Sequence, residues 1–85
     1  MPDIVIYSTT VCPFCVRAKM LLDKKGAAYT EVNLTKEPAR REEMLEKSKG
    51  MRTVPQIFID ETHVGGCDDL YELEFDGKLD EMLAG

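Results

Sequence analysis

Apolar residues fall into two short unbroken runs and several spaced sets along the 85-residue chain. Residues 4–7 (Ile-Val-Ile-Tyr) and 57–59 (Ile-Phe-Ile) are continuous and rich in β-branched and aromatic side chains. Such runs read as strands buried on both faces, hence internal to a sheet. Pro55 cannot donate to a ladder, so it stands at the start of the second run. Residues 29–34 alternate, with Glu31 and Asn33 between Val32 and Leu34, as a half-buried strand does. Ala18, Leu21 and Leu22 recur at i, i+3, i+4 and mark the inner face of a helix over residues 16–25. Lys24 and Lys25 suit its C-terminal end, and Gly26 stops it. Thr35 is the expected N-cap of a second helix, with Pro38 in its first turn and Met44, Leu45 and Ser48 inward, ending at Lys49-Gly50. Asp60-Glu61 turns the chain into a short strand, residues 62–64, with His63 facing solvent. A third helix opens at Cys67-Asp68-Asp69, packs through Leu70, Tyr71 and Leu73, and breaks at Asp76-Gly77. Leu79, Met82 and Leu83 give a last short amphipathic segment.

The order is β-α-β-α-β-β-α. One helix between the first two strands makes a parallel pair with a right-handed crossover, and the later strands form an antiparallel hairpin. The expected fold class is therefore α/β: a central mixed four-stranded sheet flanked by helices. No repeat, linker or low-complexity stretch divides the sequence, so residues 1–85 read as a single domain.

Cys12-Pro13-Phe14-Cys15 lies where the first strand run gives way to the first helix. A CxxC at such a junction is a redox signature. Backbone N–H groups in the first turn of a helix have no intrahelical partner and carry partial positive charge, which stabilises a thiolate. Cysteines so placed reach pKa values of roughly 3.5–7.5, against about 8.5 when free. Cys12 comes first, would sit at the N-cap, and is the expected nucleophile. Cys15, three positions on, is within reach of a disulfide and would resolve. Pro13 suits the first helical position, where its missing N–H is not needed. CxxC is also half of a zinc site, but the only further ligands, His63 and Cys67, lack a second close pair.

Composition narrows the classes. Hydrophobic residues at 44% and charged residues at 32% are ordinary for a water-soluble globular protein. A net charge of −5 argues against nucleic acid or an anionic membrane as partner. Three cysteines are too few and too odd for a secreted disulfide scaffold, and no apolar run is long enough for a signal core or a membrane span. The expected location is cytoplasmic, where a CxxC cycles between thiol and disulfide.

Three separated stretches resemble one family. Cys12-Pro13-Phe14-Cys15, Thr53-Val54-Pro55 and Gly65-Gly66-Cys67-Asp68-Asp69-Leu70 are similar to the motifs of glutaredoxins, closest to the small dithiol bacterial type. The resemblance spans essentially the whole chain. It implies a thioredoxin-like fold and glutathione-dependent thiol–disulfide exchange, with Cys12 as nucleophile and Cys15 as resolving cysteine. Glutathione is then a co-substrate, with no tightly bound cofactor and no metal. The implied glutathione contacts are Phe14, Arg52, Thr53, Val54, Pro55, Gly66, Cys67 and Asp68. Among them, Pro55 matches a proline preceded by a cis bond. Val54 offers its backbone to the cysteinyl part of glutathione, in the manner of strand addition. Gly66, Cys67 and Asp68 match the site for the γ-glutamyl end, where helix N–H groups suit a carboxylate and the Asp68 side chain suits an amine. Cys67 itself is expected to be structural or to touch glutathione, with regulatory oxidation as the second reading.

One position departs from the pattern. Many glutaredoxins carry a lysine three residues before the first cysteine, and here that position is Thr9. Positive charge must come from Arg52 or Arg17, so the glutathione site is expected to be weaker or to lean on Arg52. The implied partners are glutathione and glutathionylated or disulfide-containing proteins, acted on by a monomer. The alternatives are a redoxin charged by thioredoxin reductase, a non-enzymatic iron–sulfur carrier, and a zinc-binding structural module.

Overall fold

The computed structural model describes residues 2–84; Met1 and Gly85 lie outside the described residues. Strand β1 (Ile4–Ser8) leads through a short loop into helix α1 (Pro13–Lys24) and returns as β2 (Thr30–Asn33). A 3-10 turn (Pro38–Arg40) precedes α2 (Arg41–Lys47), and β3 (Gln56–Ile59), β4 (Thr62–Gly65), α3 (Cys67–Phe75) and α4 (Lys78–Ala84) follow. The sheet order is β2-β1-β3-β4. β1 runs parallel to β2 and antiparallel to β3, which pairs antiparallel with β4. The two apolar runs are thus the two inner strands, as their composition requires.

Alternation along these strands divides the core into two. Ile4, Ile6, Ile57 and Ile59 face Ala18, Leu21 and Leu22 of α1, Leu70 of α3 and Leu79 of α4. Tyr7 and Phe58 face the other way, toward Val32, Leu34 and Met44 of α2. Burial on both faces, at about 25 cal/mol per Å² of apolar surface, is what fixes the strand register. Tyr7 also ties α2 to the sheet. Its ring meets Phe58 edge-on at 5.8 Å, and its hydroxyl donates to Glu43 at 2.6 Å. Arg40 grips the same carboxylate through Nε and Nη2 at 3.0 and 2.9 Å.

The second helix starts later than the sequence predicts. Asn33 Oδ1 accepts from the amides of Thr35 and Lys36 at 2.9 and 3.2 Å, which holds the chain in a turn. Thr35 Oγ1 is occupied elsewhere, accepting from the Thr10 amide at 3.1 Å, so Thr35 does not cap α2. At the other end the buried Ser48 hydroxyl donates to Met51 O and accepts from Met51 N. This clamp explains why a serine faces inward, and it steers the chain into the loop at residues 52–55. Among the described residues no buried side-chain polar atom lacks a partner, and no helix is long and apolar enough to cross a membrane.

Candidate active site

The first turn of α1 carries the two sulfur atoms. Cys12 is the N-cap, with extended backbone, and Pro13 begins the helix. Sγ of Cys12 accepts from the backbone N–H of Cys15 at 3.1 Å. The two cysteines are joined in a disulfide, with their Cα atoms 5.2 Å apart. They are not equivalent: Cys12 is half-buried, whereas Cys15, on the buried side of α1, is 1% exposed. Only Cys12 can meet a partner from solvent. No acidic side chain lies in the first turn to offset the positive helix end.

The loop ahead of β3 closes over this sulfur. The Val54–Pro55 peptide bond is cis, and Val54 O lies 4.0 Å from Cys12 Sγ. On the far side of Pro55 the N-terminus of α3 opens. Gly66 is its N-cap, and the Gly66 amide donates to Asp69 Oδ2 at 2.9 Å. Gly65 has φ +112, which favours glycine, and a Cβ there would run into the Asp69 carboxylate unless that side chain moved.

Between the loop and α3 runs an open cleft of about 270 Å³, lined by Phe14, Thr53, Val54, Pro55, Gly66, Cys67, Asp68 and Asp69. Every residue named above as a glutathione contact lines it except Arg52, which is exposed on the approach to Thr53. Asp69 is an addition, legible in hindsight as the acid three residues past a glycine N-cap. Larger hollows exist elsewhere, but the chemistry is here.

Arg17 is held against α3. Its guanidinium lies 5.6 Å from the centre of the Tyr71 ring, and its carbonyl accepts from the Tyr71 hydroxyl at 3.2 Å. Cys67 is 4% exposed. Burial pushes its thiol above the ordinary value, Arg17 pulls it back, and Asp68 adds to the rise. The zinc alternative finds no cluster: among the described residues no three His, Cys, Asp or Glu side chains gather to hold a metal ion. His63 is exposed as expected, but its Nε2 is engaged, 2.6 Å from Gln56 Oε1.

Known proteins agree with this geometry. Residues 4–64 match the Glutaredoxin family model. A glutaredoxin of Pseudomonas aeruginosa is 54% identical over 84 residues, 99% of each chain. The solution structure of a glutaredoxin from Brucella melitensis superposes with TM-score 0.83 at 54% identity, over 98% of this chain and 89% of that one. The crystal structure of a buckwheat glutaredoxin–glutathione complex superposes with TM-score 0.86 at 40% identity, over 98% of this chain and 77% of that one. With a family match over most of its length and relatives at such identity, this thioredoxin-like chain belongs to the glutaredoxin family of glutathione-dependent thiol–disulfide oxidoreductases.

Proposed function

We propose that the protein reduces glutathione mixed disulfides and protein disulfides through Cys12 and Cys15, with glutathione as electron donor. The observation that carries this division of labour is the asymmetry of the pair, an accessible N-cap sulfur at Cys12 and a buried one at Cys15. On a glutathionylated protein, the Cys12 thiolate attacks the glutathione sulfur. The protein thiolate leaves and takes a proton, and Cys12 now carries glutathione. A second glutathione thiolate attacks that glutathione sulfur, releasing oxidised glutathione and the Cys12 thiolate. On a protein disulfide, Cys12 forms the mixed disulfide and Cys15 attacks Cys12 Sγ. The substrate thiolate is expelled and the Cys12–Cys15 disulfide remains, which two glutathiones reopen. The direction follows the reduction potential of the pair against the glutathione pool.

Glutathione would lie in the cleft beside Phe14, along the backbone of Thr53, Val54 and Pro55. Its γ-glutamyl carboxylate would sit beside Gly66 at the amides of Cys67 and Asp68, the Gly66 amide being taken by Asp69, and its amine at the Asp68 side chain. An α3 N-terminus of this kind suits an anion. Arg52 would supply charge that Thr9 does not. The chain acts as one domain, residues 1–85, as a cytoplasmic monomer on glutathionylated or disulfide-bonded proteins. Its acidity turns it away from nucleic acid and anionic membranes.

The test is reduction of a glutathionylated peptide, coupled through glutathione reductase to NADPH consumption. Fast turnover that depends on Cys12 is expected. A folded, reduced protein with no turnover would sink the glutathione-linked reading and leave the redoxin charged by thioredoxin reductase.

A further inference from the structure

Thr53, at the rim of the cleft, is held by a line of side chains that leads away from the sulfur atoms to the outer strand. Gln56 is wholly buried. Its amide nitrogen donates to both the carbonyl oxygen and Oγ1 of Thr53, at 3.0 and 3.2 Å. Its amide oxygen faces Nε2 of His63 at 2.6 Å. A side-chain amide has one donor end and one acceptor end. With the donor end committed to Thr53, the oxygen can only accept, so His63 must present a proton on Nε2. The imidazole is exposed, yet it is fixed: it stacks on Phe58 with centroids 4.8 Å apart and an interplanar angle of 22°. Phe58 is itself braced by the edge of Tyr7.

We infer that His63 is a positioning residue for glutathione, acting through Gln56 to set the Thr53 edge of the cleft before ligand arrives. The inference rests on the glutathione reading above. The hydrogen bonds run one way, from His63 to Gln56 to Thr53. Because Thr53 Oγ1 accepts from Gln56, its own O–H is left to donate, and Thr53 lines the cleft. The residue is thus prepared to meet an acceptor, of which glutathione brings carboxylates and carbonyls. Without His63, a buried amide oxygen loses its partner. Rotation of the Gln56 amide to find another would set its oxygen against the Thr53 carbonyl oxygen and would turn the Thr53 O–H inward to donate to it, away from the cleft.

The test uses His63→Phe, which keeps a ring against Phe58 but has no N–H, and His63→Gln, which restores a donor. In the coupled assay with varied glutathione, H63F should raise KM for glutathione about three- to tenfold with kcat little changed. H63Q should stay near the parent. In a Thr53→Val background, which leaves only the bond from Gln56 to the residue 53 carbonyl, H63F should add less than it does in the parent. Neutral His63 in the parent should appear as the Nε2–H tautomer in long-range proton–nitrogen correlation spectra, a readout that does not depend on any variant folding. A parent-like KM in H63F, additive effects with T53V, or an Nδ1–H tautomer would each overturn the relay alone. A parent protein that neither binds nor turns over glutathione would overturn it together with the reading beneath it.

Discussion

The carbonyl oxygen of Val54 stands 4.0 Å from Sγ of Cys12, although the two residues are 42 positions apart in the chain. The reactive sulfur therefore has a helix N-terminus on one side and the backbone of the loop before β3 on the other. A thiol compound bonded to Cys12 would run along that loop, where its peptide groups can pair as an added strand does. Cys15, only 1% exposed, offers no such approach.

Serine substitutions separate the two routes. Cys12→Ser should abolish reduction of both glutathionylated peptide and protein disulfide. Cys15→Ser should keep the first and lose the second, since only the second needs an internal resolving thiol. Paired assays of the two substrates decide this. Loss of both in Cys15→Ser would contradict the assignment of roles.

Charge around the cleft gives a graded expectation. Asp68 lines the cleft at the α3 N-terminus, whereas Arg52 is exposed outside it. Asp68→Ala should raise KM for glutathione by about tenfold, as loss of a charge-assisted hydrogen bond does. Arg52→Ala should change it no more than about fivefold, the range of a single solvent-screened charge. Steady-state kinetics of both variants test the ranking. An Arg52→Ala variant with unaltered kinetics would remove Arg52 from the site.

Much of this architecture is legible in the sequence because local signals and burial agree. The runs at residues 4–7 and 57–59 are continuous because both faces of β1 and β3 are covered, and CxxC with Pro13 marks a helix start. The second helix misleads because Thr35 looks like a cap, but its hydroxyl is taken by the Thr10 amide, a partner 25 positions away. The same limit hides the engagement of His63. Nothing local to an exposed strand residue tells that a buried glutamine seven positions earlier will face it. Arg52 beside Thr53 and Arg17 in α1 are equally plausible cations on paper. Only the fold sets the Arg17 guanidinium over the Tyr71 ring, within electrostatic reach of Cys67, and leaves Arg52 exposed outside the cleft.

The anchor of α2 should make stability fall in acid. Hydrogen bonds from Arg40 and then Tyr7 hold the Glu43 carboxyl down to about 2, against 4.5 when free. The folded-state pKa is depressed, so the stabilisation is full above about 4.5 and is lost as pH falls toward about 2. The pair is partly solvated, with Glu43 36% exposed in its side chain, so screening reduces its worth. Glu43→Gln should lower stability by about 1 kcal/mol at neutral pH. The gap from the parent should close between about pH 4.5 and pH 2. Urea titrations across that range measure it. A gap independent of pH would mean that the carboxylate charge does not matter.

Two glycines with positive φ should differ in their tolerance of alanine. Gly26 has φ +69 and open space where a Cβ would go, so Gly26→Ala carries only left-handed strain, about 1–2 kcal/mol. Gly65, at φ +112, adds a collision with the Asp69 carboxylate that caps α3. Gly65→Ala should therefore lose about 1 kcal/mol more than Gly26→Ala, the worth of a helix cap. It should also weaken glutathione binding, because the displaced cap forms one wall of the cleft. Thermal melts with binding titrations check both. Equal destabilisation by the two would show that Asp69 simply swings away.

Cys67 should stay silent while the protein is folded. It is the free cysteine of the structure, 4% exposed, and packed with Ile57 and Leu70 in the larger core cluster. Burial raises its thiol pKa more than Arg17 lowers it, and the thiolate is the form that attacks an alkylating reagent. Iodoacetamide added to the reduced, folded protein at neutral pH should label Cys12 first. Cys67 should follow at least about tenfold more slowly. Unfolding in guanidinium should bring all three cysteines to similar rates, because burial and the helix end then no longer set them apart. Peptide mass spectrometry reads the sites directly. Early labelling of Cys67 in the folded protein would instead place a third thiol within reach of the exchange chemistry and make regulatory oxidation at that position the reading to pursue.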